Sequence, residues 1–94
     1  MLQVMYRIGY TTTFKKDFKR CKRRGLDLLV LEKVIELLRL NGNLPPEYKS
    51  HKLSGKYNGC WECHLQPDWL LVWKQNDDEL IILFTNTGTH ADLF

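Results

Sequence analysis

The sequence predicts a small α+β fold: an N-terminal strand, a two-helix hairpin, then an antiparallel sheet of three to four strands packed on the helices. Two observations carry this. The apolar pattern runs from strand-like alternation to a helical period and back to alternation. The two helical stretches also sit together instead of alternating with strands, which segregates helices from sheet. Ninety-four residues are too few for two cores, so a single domain over residues 1–94 is expected.

Each element has its own signal. Met1–Ile8 mixes Leu2, Val4, Tyr6 and Ile8 with polar neighbours and reads as the first strand. Thr11–Thr13 offers N-cap hydroxyls, after which Phe14, Phe18 and Cys21 recur at helical spacing until Gly25. Asp27 caps a second helix whose Leu28, Leu31, Val34, Ile35 and Leu38 share one side, and it stops at Asn41-Gly42. Asn43–Ser50 carries Pro45-Pro46 without periodicity and reads as a loop. Lys52–Leu53 begins a short strand, and Ser54-Gly55 and Tyr57-Asn58-Gly59 supply turns.

Cys60–Gln66 then alternates, with Trp61, Cys63 and Leu65 on one face and Glu62, His64 and Gln66 on the other. Pro67-Asp68 is a turn, Trp69–Gln75 a strand, Asn76-Asp77-Asp78 another turn and Glu79–Thr85 a central apolar strand. Asn86–Phe94 reads as a short polar tail. Trp69 and Trp73 read as sheet packing, and Cys21 and Cys63 as small buried hydrophobes. Tyr57 fits either a stacking residue or a loop anchor.

The net charge of +3 conceals its distribution. Residues 15–24 hold seven basic and one acidic residue, a local +6, whereas the chain from Gly25 onward is −4. A concentrated basic face suits a polyanion such as RNA or DNA, an acidic protein partner, or a solvated helix surface. No apolar run reaches the ~20 residues of a membrane helix. Met1–Tyr10 carries Arg7 and no small-residue cleavage site, and three cysteines are an odd number, so a cytoplasmic protein with reduced thiols is expected.

Phosphate-loop, serine-hydrolase and zinc-protease motifs are absent from the sequence. Cys60-Trp61-Glu62-Cys63-His64 matches a haem-attachment spacing, and His51 and His90 could nominally join the two cysteines around zinc. On a strand, however, positions three apart face opposite ways, so neither metal nor cofactor is expected. His51, His64 and His90 all lie in the second half, with Asp68 nearby. Imidazoles titrate near pH ~6.5, so two of them can exchange protons as base and acid at neutral pH. That is what metal-free RNA cleavage requires.

Three blocks carry a resemblance: His51-Lys52-Leu53-Ser54-Gly55, Glu62-Cys63-His64-Leu65-Gln66-Pro67-Asp68-Trp69, and Thr87-Gly88-Thr89-His90-Ala91-Asp92-Leu93-Phe94. With the basic hairpin and the two-proline loop, they resemble the YafQ-type toxins of the RelE-like family along the whole chain. The resemblance implies a RelE-like fold and an mRNA interferase of a type II toxin–antitoxin pair. Such an enzyme cuts mRNA in the ribosomal A site without a metal, leaving 2′,3′-cyclic phosphate and 5′-hydroxyl ends.

It also implies catalytic roles for His51, His64, Asp68 and His90, with His90 the principal acid or base and Asp68 orienting or sharing the base role. Trp69 and Phe94 would flank the site, Phe94 stacking on a base. Family members often carry arginine where this chain has Asn86 and Trp61. Asn86 brings no charge to the scissile phosphate, and Lys52 or Lys56 could substitute. Lys15, Lys16, Lys19, Arg20 and Arg23 would contact ribosomal RNA and a DinJ-type antitoxin, whose acidic segment would fold over the basic groove. Operator DNA would be reached only through that antitoxin. The alternative is a catalytically weak or inactive protein that acts mainly as its antitoxin's partner in an operon-repressing complex.

Overall fold

The computed structural model describes residues 5–94. Strand β1 (Arg7–Tyr10) leads through helices α1 (Thr12–Arg23) and α2 (Leu28–Asn41) to the two-residue strand β2 (His51–Lys52). Strands β3 (Trp61–Gln66), β4 (Trp69–Asn76) and β5 (Ile81–Gly88) follow, and a single-turn helix α3 (His90–Leu93) ends the chain. The five strands lie in the order β1-β5-β4-β3-β2. β1 runs parallel to β5 and all other pairs are antiparallel. The sheet is therefore mixed and one strand larger than a simple three- to four-strand meander.

The helix boundaries follow from their caps. The Thr11 hydroxyl accepts from the Phe14 amide at 3.0 Å and starts α1. Asp27 does the same for Leu29 at the head of α2. Gly42 closes α2 at φ +70°, and any Cβ there would meet the Tyr6 ring.

Strand alternation divides the apolar residues between two faces. Cys63, Leu71, Trp73 and Phe84 face α1 and α2, where Phe14, Cys21, Leu31, Val34 and Leu38 complete the main core. On the opposite face Cys60, Leu70, Val72 and Leu93 form a smaller cluster with Leu53 and Tyr57. Cys60 and Cys63 thus point to opposite sides of the sheet. Burial pushes the Cys63 thiol up to about 12, which makes it an inert packing group.

Four expectations shift, among them the short strand, which spans His51–Lys52 and not Lys52–Leu53. The first strand begins at Arg7 and runs to Tyr10, and the Met1–Val4 part of the expected strand lies outside the described residues. The proline loop contains a 3₁₀ turn, Pro46–Tyr48. Asn86–Phe94 is no tail: β5 continues to Gly88, and Thr89 then caps α3. The Thr89 hydroxyl accepts from the Asp92 amide while the Asp92 carboxylate accepts from the Thr89 amide, a reciprocal box.

Leu71 is fully buried between sheet and helices, whereas Leu29 is 71% exposed. Leu71→Ala should therefore cost about 2–5 kcal/mol in denaturant unfolding and Leu29→Ala no more than about 0.5. Equal losses would contradict this placement of the core.

Candidate active site

The candidate site lies on the sheet face turned away from α1 and α2. The β2–β3 register sets His51 directly across from Glu62, and His64 follows Glu62 by two residues on the same face. His90 opens α3 and closes the row. Ring centroids are 6.4 Å apart for His51 and His64, and 5.9 Å for His64 and His90.

Two carboxylates accompany this row, Asp68 at the His90 end and Glu62 between His51 and His64. Asp68, in the β3–β4 turn, accepts from the His90 backbone amide at 3.0 Å, and its Oδ1 lies 2.7 Å from His90 Nδ1. The amide and then the ring hold the Asp68 carboxyl below the usual carboxylate range. Glu62 is buried, with Oε1 3.3 Å from His51 Nε2 and 4.0 Å from His64 Nε2.

An aromatic wall borders His90. The Phe94 ring sits 6.4 Å from that of His90 and meets Tyr57 edge-on at 5.3 Å. The Tyr57 hydroxyl donates to the Leu93 carbonyl at 3.0 Å, which ties the 3₁₀ turn Gly55–Tyr57 to α3. Phe94 is 60% exposed, so its ring is open to solvent. Lys56 Nζ stands 5.2 Å from the Tyr57 ring centre and supplies the cation at this rim. Among the described residues no three His, Cys, Asp or Glu side chains are disposed to hold a metal ion.

The family model for the bacterial toxin of type II toxin–antitoxin systems, YafQ, matches residues 6–94. The chain belongs to the YafQ family. The mRNA interferase toxin YafQ of Escherichia coli strain K12 is 39% identical over 88 residues, covering 93% of this chain and 94% of that protein. Among solved structures, the toxin of the E. coli DinJ–YafQ toxin–antitoxin complex superposes with a TM-score of 0.86 at 37% identity, covering 99% of each chain. A metal-bound toxin from Helicobacter pylori superposes with a TM-score of 0.86 at 38% identity, covering 96% of this chain and all of that one.

This YafQ-family chain gathers His51, His64, Asp68, His90, Phe94 and Lys56 at one face. Four expected site residues lie elsewhere. Trp69 is 1% exposed in the main core, where its indole donates to the Thr87 hydroxyl at 2.9 Å, so it is closed to substrate. Lys52 alternates with His51 and lies over Trp61 on the helix-side face. Arg20 turns inward to Asp17 and Asp92 and is no free docking cation. Asn86 is half-buried, with its amide nitrogen 3.4 Å from Asp17 on α1. Trp61 stacks on Trp73 on the helix-side face of the sheet.

Sequence reasoning missed the residues that hold α3 in place. Arg24 donates to both Asp92 oxygens, at 2.6 and 3.1 Å, and Arg20 Nε lies 3.7 Å from Asp92. Gly88 permits this approach, since a Cβ there would come within 2.7 Å of Asp92 Oδ2. The basic end of α1 thereby clamps the helix that carries His90. Glu62 was also missed as a site residue, although its parity with His64 was visible.

The Arg24 guanidinium and the Thr89 hydrogen bonds hold the Asp92 carboxyl well below the usual carboxylate range. The folded state then binds fewer protons than the unfolded one, so this stabilisation is complete above about pH 4 and fades as pH falls further. Arg24→Gln should be less stable than wild type in urea unfolding at pH 7, with the gap narrowing below pH ~4. A gap that stays constant through the acid range would contradict the clamp.

Proposed function

We propose that this chain is a ribosome-dependent mRNA interferase, the toxin of a type II toxin–antitoxin pair. The observation that carries the reading is a row of three imidazoles with Asp68 at one end and Glu62 between the other two, open to solvent beside an exposed aromatic ring. Such a row can take the proton from a 2′-hydroxyl and return one to the departing 5′-oxygen. The 2′-oxygen attacks phosphorus, the bond to the 5′-oxygen breaks, and the products are a 2′,3′-cyclic phosphate and a 5′-hydroxyl. Phe94 stacks on an unpaired base and Lys56 faces the phosphate backbone. The E. coli relatives bear the name mRNA interferase, which supports the same chemistry here.

Lys15, Lys16, Lys19 and Arg23 are exposed on α1 and dock on ribosomal RNA. The groove between α1 and α2 has an apolar floor of Phe14, Phe18, Leu31 and Ile35 with Lys15, Lys19 and Lys22 along its rim. That combination suits an amphipathic acidic segment, so the antitoxin and the ribosome compete for one basic helix. The solved complex of the E. coli relative with DinJ supports an antitoxin partner. Operator DNA is reached through the antitoxin, and the site of action is the translating ribosome of the cytoplasm.

One observation favours the second reading, a catalytically weak partner of an antitoxin. Asn86, an uncharged amide where the family resemblance leads one to expect an arginine, directs its nitrogen to Asp17. Mapping cuts on translating ribosomes separates the two readings, because a pure binder leaves the A-site codon intact.

On induction, the wild-type chain should arrest growth and cut mRNA in the A site, and His90→Ala should lose about 10²–10⁴ in cleavage. Full cutting by His90→Ala would overturn the role of that imidazole. Replacing Lys15, Lys16, Lys19 and Arg23 together with Gln should weaken ribosome association and flatten its salt dependence. Unchanged association at every salt concentration would reduce this helix to a solvated surface.

A further inference from the structure

A cavity opens at the edge of the sheet where β2 stops. β2 pairs with β3 only at Trp61 and Glu62, so from Cys63 onward the outer side of β3 has no strand neighbour among the described residues. The 3₁₀ turn Pro46–Tyr48 lies beside β3 there instead, and the β3–β4 ladder is irregular between His64 and Gln66. The gap is a cavity of ≈ 520 Å³ lined by Lys33, Tyr48, Lys49, His64, Gln66 and Pro67 among others. That volume lies within the ~300–1,000 Å³ of sites for small organic ligands. His64 is the shared wall, since it belongs both to the imidazole row and to this cavity.

The lining suits a nucleotide. Lys33 and Lys49 are exposed, and neither is ion-paired with a carboxylate among the described residues. Arg20, Arg24 and Arg39, by contrast, are each committed to an aspartate or glutamate. The Tyr48 ring is half-buried against the main core, which fixes it as an aromatic floor. Gln66 brings an amide that both donates and accepts, and Glu47 adds an acceptor. Single-stranded RNA is recognised by such groups, with aromatic rings on the base face, amides on its edge and ammonium groups on phosphate.

Lys49 is held firmly in this lining. Its backbone is left-handed at φ +53°, a strained conformation for lysine, and its amide donates to the Pro46 carbonyl at 3.0 Å. Its own carbonyl lies 2.9 Å from His51 Nδ1, which ties the cavity to the row.

We propose that this cavity is a nucleotide subsite for the mRNA strand, on the far side of the scissile phosphate from the base stacked on Phe94. This rests on the interferase reading and names a further part of its substrate contact. The rings of Phe94, His90 and His64 follow one another at 6.4 and 5.9 Å, so a strand laid along them passes from Phe94 into the cavity. Lys33 and Lys49 hold the next phosphate, the base rests on Tyr48, and Gln66 reads its edge. No bond is made or broken here. The subsite fixes the register of the strand over the imidazoles.

The test measures binding to ribosomes whose A-site mRNA nucleotides are 2′-O-methylated, which blocks the attacking hydroxyl and separates binding from cutting. A second set of ribosomes carries an mRNA that ends at the P-site codon and leaves the A site without mRNA. The double variant Lys33→Gln, Lys49→Asn should bind the first set about tenfold more weakly than wild type, with a salt slope shallower by about one. It should bind the second set as wild type does. Lys74→Gln, an exposed cation on β4, should bind both sets as wild type does. Asparagine accepts a left-handed backbone, so Lys49→Asn removes the charge and keeps the turn. Thermal melting checks this, and Lys49→Gly takes its place if melting falls. On cleavable mRNA the double variant should cut the same codons as wild type, whereas Gln66→Ala should also cut codons that wild type spares.

Wild-type affinity of the double variant for the first set would overturn the subsite while leaving the interferase reading intact. So would an equal loss on both sets, which places the lysines on ribosomal RNA, or the same loss in Lys74→Gln. An unchanged codon spectrum in Gln66→Ala would overturn the base-edge contact. Absence of cutting by the wild-type chain on cleavable mRNA would overturn the interferase reading and the subsite with it.

Discussion

The open edge of β5 is the constraint on which the rest of the structure depends. Among the described residues β1 pairs with β5 only from Ile81 to Phe84, so beyond Phe84 the edge of a central strand has no strand neighbour there. Helix α1 takes its place. Thr11 donates through its amide to the Phe84 carbonyl and through its hydroxyl to the Thr85 carbonyl. Asp17 accepts from the Thr87 amide at 3.1 Å, and Arg20 reaches the Thr87 carbonyl. Buried backbone groups left without such partners would each cost about 1–3 kcal/mol. The polar side chains of α1 are thus fixed against the strand by hydrogen bonding and not by charge attraction alone.

That docking has a functional consequence. Once Asp17 and Arg20 bind the end of β5, the last turn of α1 comes beside α3, and Arg24 and Arg20 meet Asp92. The same basic helix therefore contributes exposed lysines on one side and holds the His90 helix on the other. A helix that looks uniformly basic in sequence divides its cations between anchoring and the exposed surface, and Arg20 and Arg24 go to anchoring.

Much of this was legible in the residues. The caps at Thr11, Asp27 and Gly42 and the alternation of β3 and β4 follow from local chemistry, which sequence records directly. The three histidines and Asp68 were recognisable as a set, and they do converge. What local pattern could not reveal were the consequences of long-range register. Lys52 and Trp69 lie beside candidate site residues in sequence and on the opposite face in space, since neighbours along a strand alternate. The α3 turn escaped notice because four residues give no helical period, and only its Thr89–Asp92 box defines it. Glu62 looked like one more polar strand residue until the β2–β3 register set it against His51. Asn86, seen in sequence as an absent charge, is in space one of the groups gathered around Asp17.

The central claim is that paired imidazoles on this face break the RNA chain by transferring protons to and from the ribose and the leaving oxygen. The chemistry of the cut ends tests it most directly. The account predicts that A-site fragments carry a 2′,3′-cyclic phosphate on one side and, on the other, a 5′-hydroxyl that polynucleotide kinase labels without prior phosphatase treatment. Fragments bearing a 5′-phosphate and a 3′-hydroxyl, the products of an activated water attacking phosphorus, would contradict it.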